Sequence, residues 1–119
     1  MAGNESEWDE SLILDSAHLA EFTAGDEQLE QHVLALFSEH APTYLKDLKT
    51  SSPNEWRTAA HKLKGAARSI GAWRLAREAE RVERIGSGAA RDAKRSETLE
   101  ELGFRLDQLM TLISERHAV

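Results

Sequence analysis

The sequence predicts an all-α protein, specifically an antiparallel up-down four-helix bundle with a short additional N-terminal helix. Apolar residues recur with a helical period through four long stretches, and no stretch alternates apolar and polar residues as a half-buried strand does. The connections between these stretches are short and contain glycine, serine or proline. Long amphipathic helices joined by short connections pack as antiparallel neighbours, which leads to the bundle.

The N-terminal part of the chain is expected to hold a tail and a short helix. Residues 1–11 are polar and predict a flexible tail, and residues 12–117 are expected to form a single domain. The short helix is expected near residues 15–23, with Asp15 or Ser16 as its N-cap.

Start and stop signals then delimit four long helices. Gly25 ends the short helix, and Asp26 caps the first long one, which runs to about residue 49 with an expected kink at Pro42. Ser52-Pro53-Asn54-Glu55 combines a capping box with a proline at the first helical position, so the second long helix begins there. Glycines at 71, 86 and 88 end the next two helices, and the expected ranges are about 53–70, 72–85 and 90–116.

Composition excludes several classes of protein. The 119 residues include no cysteine, which excludes disulfides, a thiol nucleophile and a cysteine-ligated zinc site. No apolar run reaches the roughly 18 residues of a membrane span, and the acidic N-terminus is unlike a signal peptide. We therefore expect a cytoplasmic protein that does not enter a membrane, and the start at Met1 favours a free-standing chain.

The net charge of −6 conceals a basic middle segment. Residues 57–95 carry eleven Lys and Arg against four acidic residues, whereas residues 1–56 carry two against twelve. The acidic remainder opposes binding to a polyanion, so no nucleic-acid partner is expected. A small anionic group or an acidic pocket on a partner protein fits this distribution better.

A histidine and several cations share the exposed face of the helix in this basic segment. At about 100° per residue, the stripe Trp56, Ala60, Leu63, Ala67 and Ile70 is the buried face, and His61 lies about 140° from Trp56. Arg57, Lys64, Gly65 and Arg68 stand at −4, +3, +4 and +7 from His61, which are the spacings of one helix face.

This arrangement suits reversible phosphoryl transfer. An imidazole is largely unprotonated at neutral pH and is therefore a good nucleophile. Lys64 and Arg68 could neutralise phosphoryl oxygens, where charge must be stabilised in this chemistry. Gly65 costs the helix about 1 kcal/mol relative to alanine but leaves room for a partner to approach His61.

The segment His61-Lys62-Leu63-Lys64-Gly65-Ala66-Ala67 resembles the H-x-L-K-G-[SA]-[SA] signature of histidine-containing phosphotransfer (HPt) domains. The segment "SIGA" continues the likeness, as do "AGDEQLEQHVLALF" and "WRTAAH" upstream and "RLAREAERVE" downstream. The likeness covers about residues 13–113, and Ala66 stands where serine is more usual.

The resemblance implies a monomeric bundle in which His61 carries phosphate on Nε2. It implies a phosphorelay in which the chain shuttles phosphoryl groups between the receiver-domain aspartates of hybrid histidine kinases and response regulators. Lys64 would stabilise the phosphohistidine and Gly65 would clear the approach. The position three residues after the family's phenylalanine, here Phe37, often contacts the imidazole, and His40 occupies it.

The resemblance also implies a carrier that needs no cofactor of its own. The chain contains no glycine-rich nucleotide loop, so ATP-dependent autokinase activity is not expected, and it is not an enzyme in the usual sense. Magnesium is expected in the partner receiver domain. The histidine spacings match no metal site in this chain.

Three alternatives remain at this stage. The chain could be an adaptor that binds and sequesters receiver domains without phosphotransfer. It could be the dimerisation and phosphotransfer region of a sensor kinase, which would require an obligate dimer. A nucleic-acid-binding helical domain would require tight, salt-dependent binding to DNA.

Overall fold

The computed structural model describes residues 8–85 and 89–116, and these residues form five α-helices and no strand. The short N-terminal helix and the four long helices lie close to the predicted ranges. The helices are α1 (Ser16–Phe22), α2 (Glu27–Thr50), α3 (Pro53–Ile70), α4 (Trp73–Ile85) and α5 (Ala89–Arg116). The predicted all-α class is confirmed.

The predicted caps define the ends of these helices. The side chain of Asp15 accepts a hydrogen bond from the backbone N–H of His18, and Asp26 accepts one from Leu29. Ser52 and Glu55 form the reciprocal capping box that starts α3. Each side chain satisfies a backbone group that the first helical turn leaves without a partner.

Gly71 ends α3 in the left-handed conformation, with φ of 82°. Its N–H donates to the carbonyl of Arg68, and the N–H of Ala72 donates to that of Ala67, which closes the last turn. A Cβ atom at Gly71 would lie 3.0 Å from the carbonyl oxygen of Asp15. Both the positive φ angle of Gly71 and the nearby backbone at Asp15 therefore require glycine here.

Contacts between helix ends establish the up-down arrangement. The indole of Trp56, near the start of α3, donates to the carbonyl of Val82 near the end of α4, at 2.8 Å. Arg95 in the first part of α5 donates to the carbonyl of Leu48 near the end of α2, whereas Arg116 at the other end of α5 donates to Glu30. Each of these pairs of helices is thus antiparallel, and α2 also packs on α3 and α4 on α5.

The core lies between the four long helices, and the face of α3 predicted to be buried is buried. That face comprises Trp56, Ala60, Leu63, Ala67 and Ile70, all at most 2% exposed. The last helix contributes a similar stripe of buried leucine and isoleucine: Leu102, Leu106, Leu109 and Ile113. Because one face of α3 is committed to the core, its opposite face is available for a site.

Helix α2 continues through Pro42, and the kink there stays a prediction. The division into a tail over 1–11 and a domain over 12–117 also stays a prediction, although Trp8 is buried against Trp73. The glycines at 86 and 88, the residues before Trp8 and the end of the chain from 117 lie outside the described residues.

Candidate functional site

His61 lies on the solvent face of α3, where the helical period placed it. Its side chain is 66% exposed. Ala60 and Leu63, which lie on the opposite face of the helix, are fully buried. The regular backbone of the helix therefore holds an imidazole in contact with solvent and fixes the direction from which it can be approached.

The imidazole is held by a carboxylate from the neighbouring helix. Nδ1 of His61 lies 3.0 Å from Oε2 of Glu83 on α4. Nζ of Lys64 donates to the other carboxylate oxygen, Oε1, at 2.7 Å. Glu83 thus connects His61 and Lys64, and both Glu83 and Lys64 are largely buried, with side chains 14% and 15% exposed.

The protonation of Glu83 determines which ring nitrogen of His61 carries a proton. Partial burial raises the pKa of the Glu83 carboxyl, but the hydrogen bonds and charges of Lys64 and His61 outweigh it and hold the pKa below its usual value. An ionised carboxylate can only accept hydrogen bonds, so Nδ1 carries the proton and donates it. In the neutral ring, Nε2 then bears the lone pair.

Gly65 lies one turn after His61 on a part of the surface that the described residues leave open. A Cβ atom built there meets none of their atoms within 4 Å. Packing among the described residues therefore gives no reason for a glycine at this position, in contrast to Gly71. The open surface beside the imidazole is consistent with the predicted approach of a partner.

Among the described residues, two other predicted site residues are not hydrogen-bonded to the imidazole. The guanidinium of Arg68 stands over the ring of Trp8, with its carbon 5.2 Å from the ring centroid. His40 is exposed on α2, and in the described part of the chain no hydrogen bond joins it to His61. Glu83 is the side chain seen hydrogen-bonded to the ring, and the roles predicted for Arg68 and His40 stay predictions.

The described residues contain no group of three or more His, Asp or Glu side chains that could hold a metal ion. No described helix is both long and apolar enough to cross a membrane.

A family comparison identifies the bundle. The family model for the Hpt domain matches residues 32–116, which include His61, Lys64, Gly65 and Glu83. The chain belongs to the Hpt domain family. Hpt domains are phosphotransfer carriers of two-component systems and not kinases. Comparisons with curated proteins and with solved structures gave no significant match.

Glu83 is the residue of this Hpt domain that the sequence interpretation missed. Its own helix gives no signal, because charged residues are common on the exposed face of an amphipathic helix. The signal lies in its distance from the turn: His61 precedes Gly71 by ten residues and Glu83 follows it by twelve. Two antiparallel helices joined at Gly71 bring such residues to similar heights, since both rise about 1.5 Å per residue.

Proposed function

We propose that this Hpt domain is a phosphohistidine carrier that acts as a monomer in the cytoplasm. It accepts a phosphoryl group from the aspartyl phosphate of one receiver domain on Nε2 of His61 and donates it to the aspartate of another. The observation that carries the proposal is the hydrogen bond between Nδ1 of His61 and the ionised Glu83, because it leaves Nε2 as the exposed nucleophilic atom.

The transfer step can be written with these groups. The Nε2 lone pair attacks the phosphorus atom, a P–N bond forms, and the bond between phosphorus and the aspartate oxygen breaks to regenerate the carboxylate. Nδ1 keeps its proton, so the phosphorylated ring is a cation whose charge the Glu83 carboxylate stabilises. A cationic imidazole is a good leaving group, so the reverse attack by a second aspartate can proceed.

Lys64 supports the proposal through charge. A carboxylate beside a phosphoryl group is electrostatically unfavourable, because both are negative. The ammonium of Lys64, 2.7 Å from Glu83, offsets that charge and places a cation near the bound phosphoryl oxygens. Magnesium is expected in the acidic pocket of the receiver domain, where it neutralises the same oxygens from the partner's side.

Labelling with phosphorylated receiver domains tests the proposal. Wild type and His61→Gln are each mixed with radiolabelled receiver domains, and the protein label is tested for its stability in acid and alkali. We expect acid-labile, alkali-stable label on wild type only, because glutamine has the size to keep the fold but no nucleophilic nitrogen. Sedimentation of the wild type measures whether it is a monomer.

A receiver-sequestering adaptor is the alternative outcome of the same experiment. An adaptor binds receiver domains through the same surface and carries no label, and His61→Gln leaves its binding unchanged. Measured binding of several receivers without label on the wild type would therefore overturn the carrier proposal.

A further inference from the structure

A short segment before the first helix contacts four arginines of the bundle. This segment, residues 8–11, is here called the N-terminal strap. The backbone carbonyls of Glu10 and Ser11 accept hydrogen bonds from Arg74, at 2.8 and 3.2 Å. The carboxylate of Glu10 accepts from Arg81 through both oxygens, at 2.9 and 3.0 Å.

Trp8 is the apolar anchor of the strap and is only 8% exposed. Its ring stacks on that of Trp73, with centroids 6.2 Å apart and an angle of 17° between the planes. The guanidinium carbons of Arg77 and Arg68 lie 4.6 and 5.2 Å from the centroid of the Trp8 ring. Exposed ion pairs contribute little, so burial of this indole provides most of the attachment.

The strap borders a groove that begins beside the phosphorylation site. Gly65, one turn after His61, lines one part of the groove, and Trp8 and Trp73 line another. Phe22, which is 52% exposed, adds a further apolar wall, and Arg68 lies within the same lining. The groove therefore combines exposed apolar surface with a cation whose position depends on Trp8.

We propose that the N-terminal strap is part of the surface that docks the receiver domain, with Trp8 as a residue that positions Arg68. This inference rests on the proposed function. Arg68 stands seven residues after His61, so it lies on the same helix face and roughly 10 Å further along the axis. The π face of Trp8 holds the guanidinium at the groove, where its charge faces the acidic rim of a receiver.

The position of Arg68 determines what the strap can influence. At two turns from His61, Arg68 lies outside the group of contacts formed by His61, Lys64 and Glu83. A cation at the edge of an interface changes the affinity and the rate of encounter more than the chemical step. The strap therefore sets the strength of receiver binding, and the transfer rate at saturating receiver depends on the His61 contacts.

Two substitutions at Trp8 separate the π face of the ring from its bulk. Trp8→Phe keeps an aromatic face for Arg68, whereas Trp8→Leu fills the space without one. Each is made in the wild type and in the backgrounds Arg68→Gln and Arg57→Gln. Arg57 is the matched control, because it is an exposed arginine of α3 on the same side as His61 and lies eleven residues, roughly 16 Å along the axis, from Arg68. Circular dichroism and thermal unfolding establish that each variant is folded.

The dissociation constant for an unphosphorylated receiver and the transfer rate at saturating receiver are measured for every variant. The receiver is one that labels the wild type. We expect Trp8→Leu to weaken binding about threefold to tenfold with the saturated rate unchanged, and Trp8→Phe to retain most of the affinity. The effect of Trp8→Leu should vanish in Arg68→Gln and persist in Arg57→Gln.

Three outcomes would overturn the inference. Equal binding by wild type and Trp8→Leu removes the strap from the docking surface, and equal loss in the Arg68→Gln background shows that Trp8 does not act through Arg68. A lower transfer rate at saturating receiver in Trp8→Leu, with affinity unchanged, shows that Trp8 affects the chemical step rather than docking. All three leave label on wild-type His61, so they are distinct from failure of the carrier proposal, in which no receiver labels the wild type.

Discussion

Nδ1 of His61 and Oε2 of Glu83 lie 3.0 Å apart across the interface between α3 and α4. The other oxygen of the Glu83 carboxylate accepts a hydrogen bond from the ammonium of Lys64. Glu83 therefore orients the ring, and Lys64 balances the charge of Glu83. The two helices thus contribute the proposed nucleophile and the group that fixes its proton. Neither helix alone carries the site.

Replacing Glu83 with glutamine tests the contribution of its charge. Glutamine can still accept a hydrogen bond from Nδ1, but it provides no negative charge to stabilise the phosphorylated ring. Charge-assisted hydrogen bonds are stronger than neutral ones, so we expect transfer to slow about fivefold to tenfold. Single-turnover labelling of His61 measures the rate, and Glu80→Gln, on the same helix and paired with Arg77, is the matched control. Equal slowing in both variants would contradict a specific role for Glu83.

The Glu83 contacts also predict a dependence of stability on pH. The pKa of this carboxyl is lower in the folded than in the unfolded chain, where it is near 4.5. Its contacts therefore stabilise the fold above that pH, and the contribution is lost as the pH falls through the folded-state pKa. In urea unfolding, the free energy of unfolding of wild type should exceed that of Glu83→Gln at pH 7, and the difference should shrink as the pH is lowered below 4.5. A constant difference would show that ionisation of Glu83 is not involved.

Substituting Lys64 should impair transfer without unfolding the bundle. Lys64→Ala leaves the Glu83 carboxylate without its cation beside the incoming phosphoryl group, so the transfer rate or the lifetime of phosphohistidine should fall, on the order of tenfold. Lys62→Ala is the control, because Lys62 is exposed and points about 100° away from His61. If Lys64→Ala and Lys62→Ala behave alike in both assays, Lys64 does not belong to the site.

The open surface at Gly65 predicts opposite effects on stability and transfer. No atom of residues 8–85 or 89–116 lies within 4 Å of a new Cβ atom, so Gly65→Ala should stabilise the helix by about 0.5–1 kcal/mol. Gly65→Gln should also fold stably, but its longer side chain should obstruct the receiver and slow transfer by about tenfold or more. Thermal unfolding and labelling are measured on the same preparations. Normal transfer by Gly65→Gln would refute the access argument.

Gly71 predicts the reverse result for the same kind of substitution. Gly71→Ala forces a side chain into the left-handed region and within 3.0 Å of the Asp15 carbonyl oxygen. We expect a loss of about 1–3 kcal/mol in the free energy of unfolding, measured by urea titration. Asparagine tolerates this backbone region better than alanine does. If the backbone angle is the main cost, Gly71→Asn should lose less free energy of unfolding than Gly71→Ala. If the contact with Asp15 is the main cost, the two variants should lose the same amount.

Much of the fold follows from local signals in the sequence. The capping box of Ser52 and Glu55, the cap at Asp26 and the break at Gly71 each depend on residues within one turn, and all three are observed. The exposed position of His61 also follows from the period of one helix. By contrast, the contact of Arg68 with Trp8 joins residues that are sixty positions apart in the sequence, so no local pattern predicts it.

The sequence by itself determined the helices, the buried stripe of α3 and the exposed histidine, because these depend on spacing along a single helix. Only the tertiary structure decided which side chain faces the ring, since this depends on how far α4 is shifted and rotated against α3. Core packing sets this shift and rotation. The buried hydrogen bond from the Trp56 indole to the carbonyl of Val82 fixes α4 against α3 at a point one residue before Glu83. The exposed histidine that we propose as the nucleophile is therefore evident in the sequence, and its carboxylate partner is determined by the packing of the bundle.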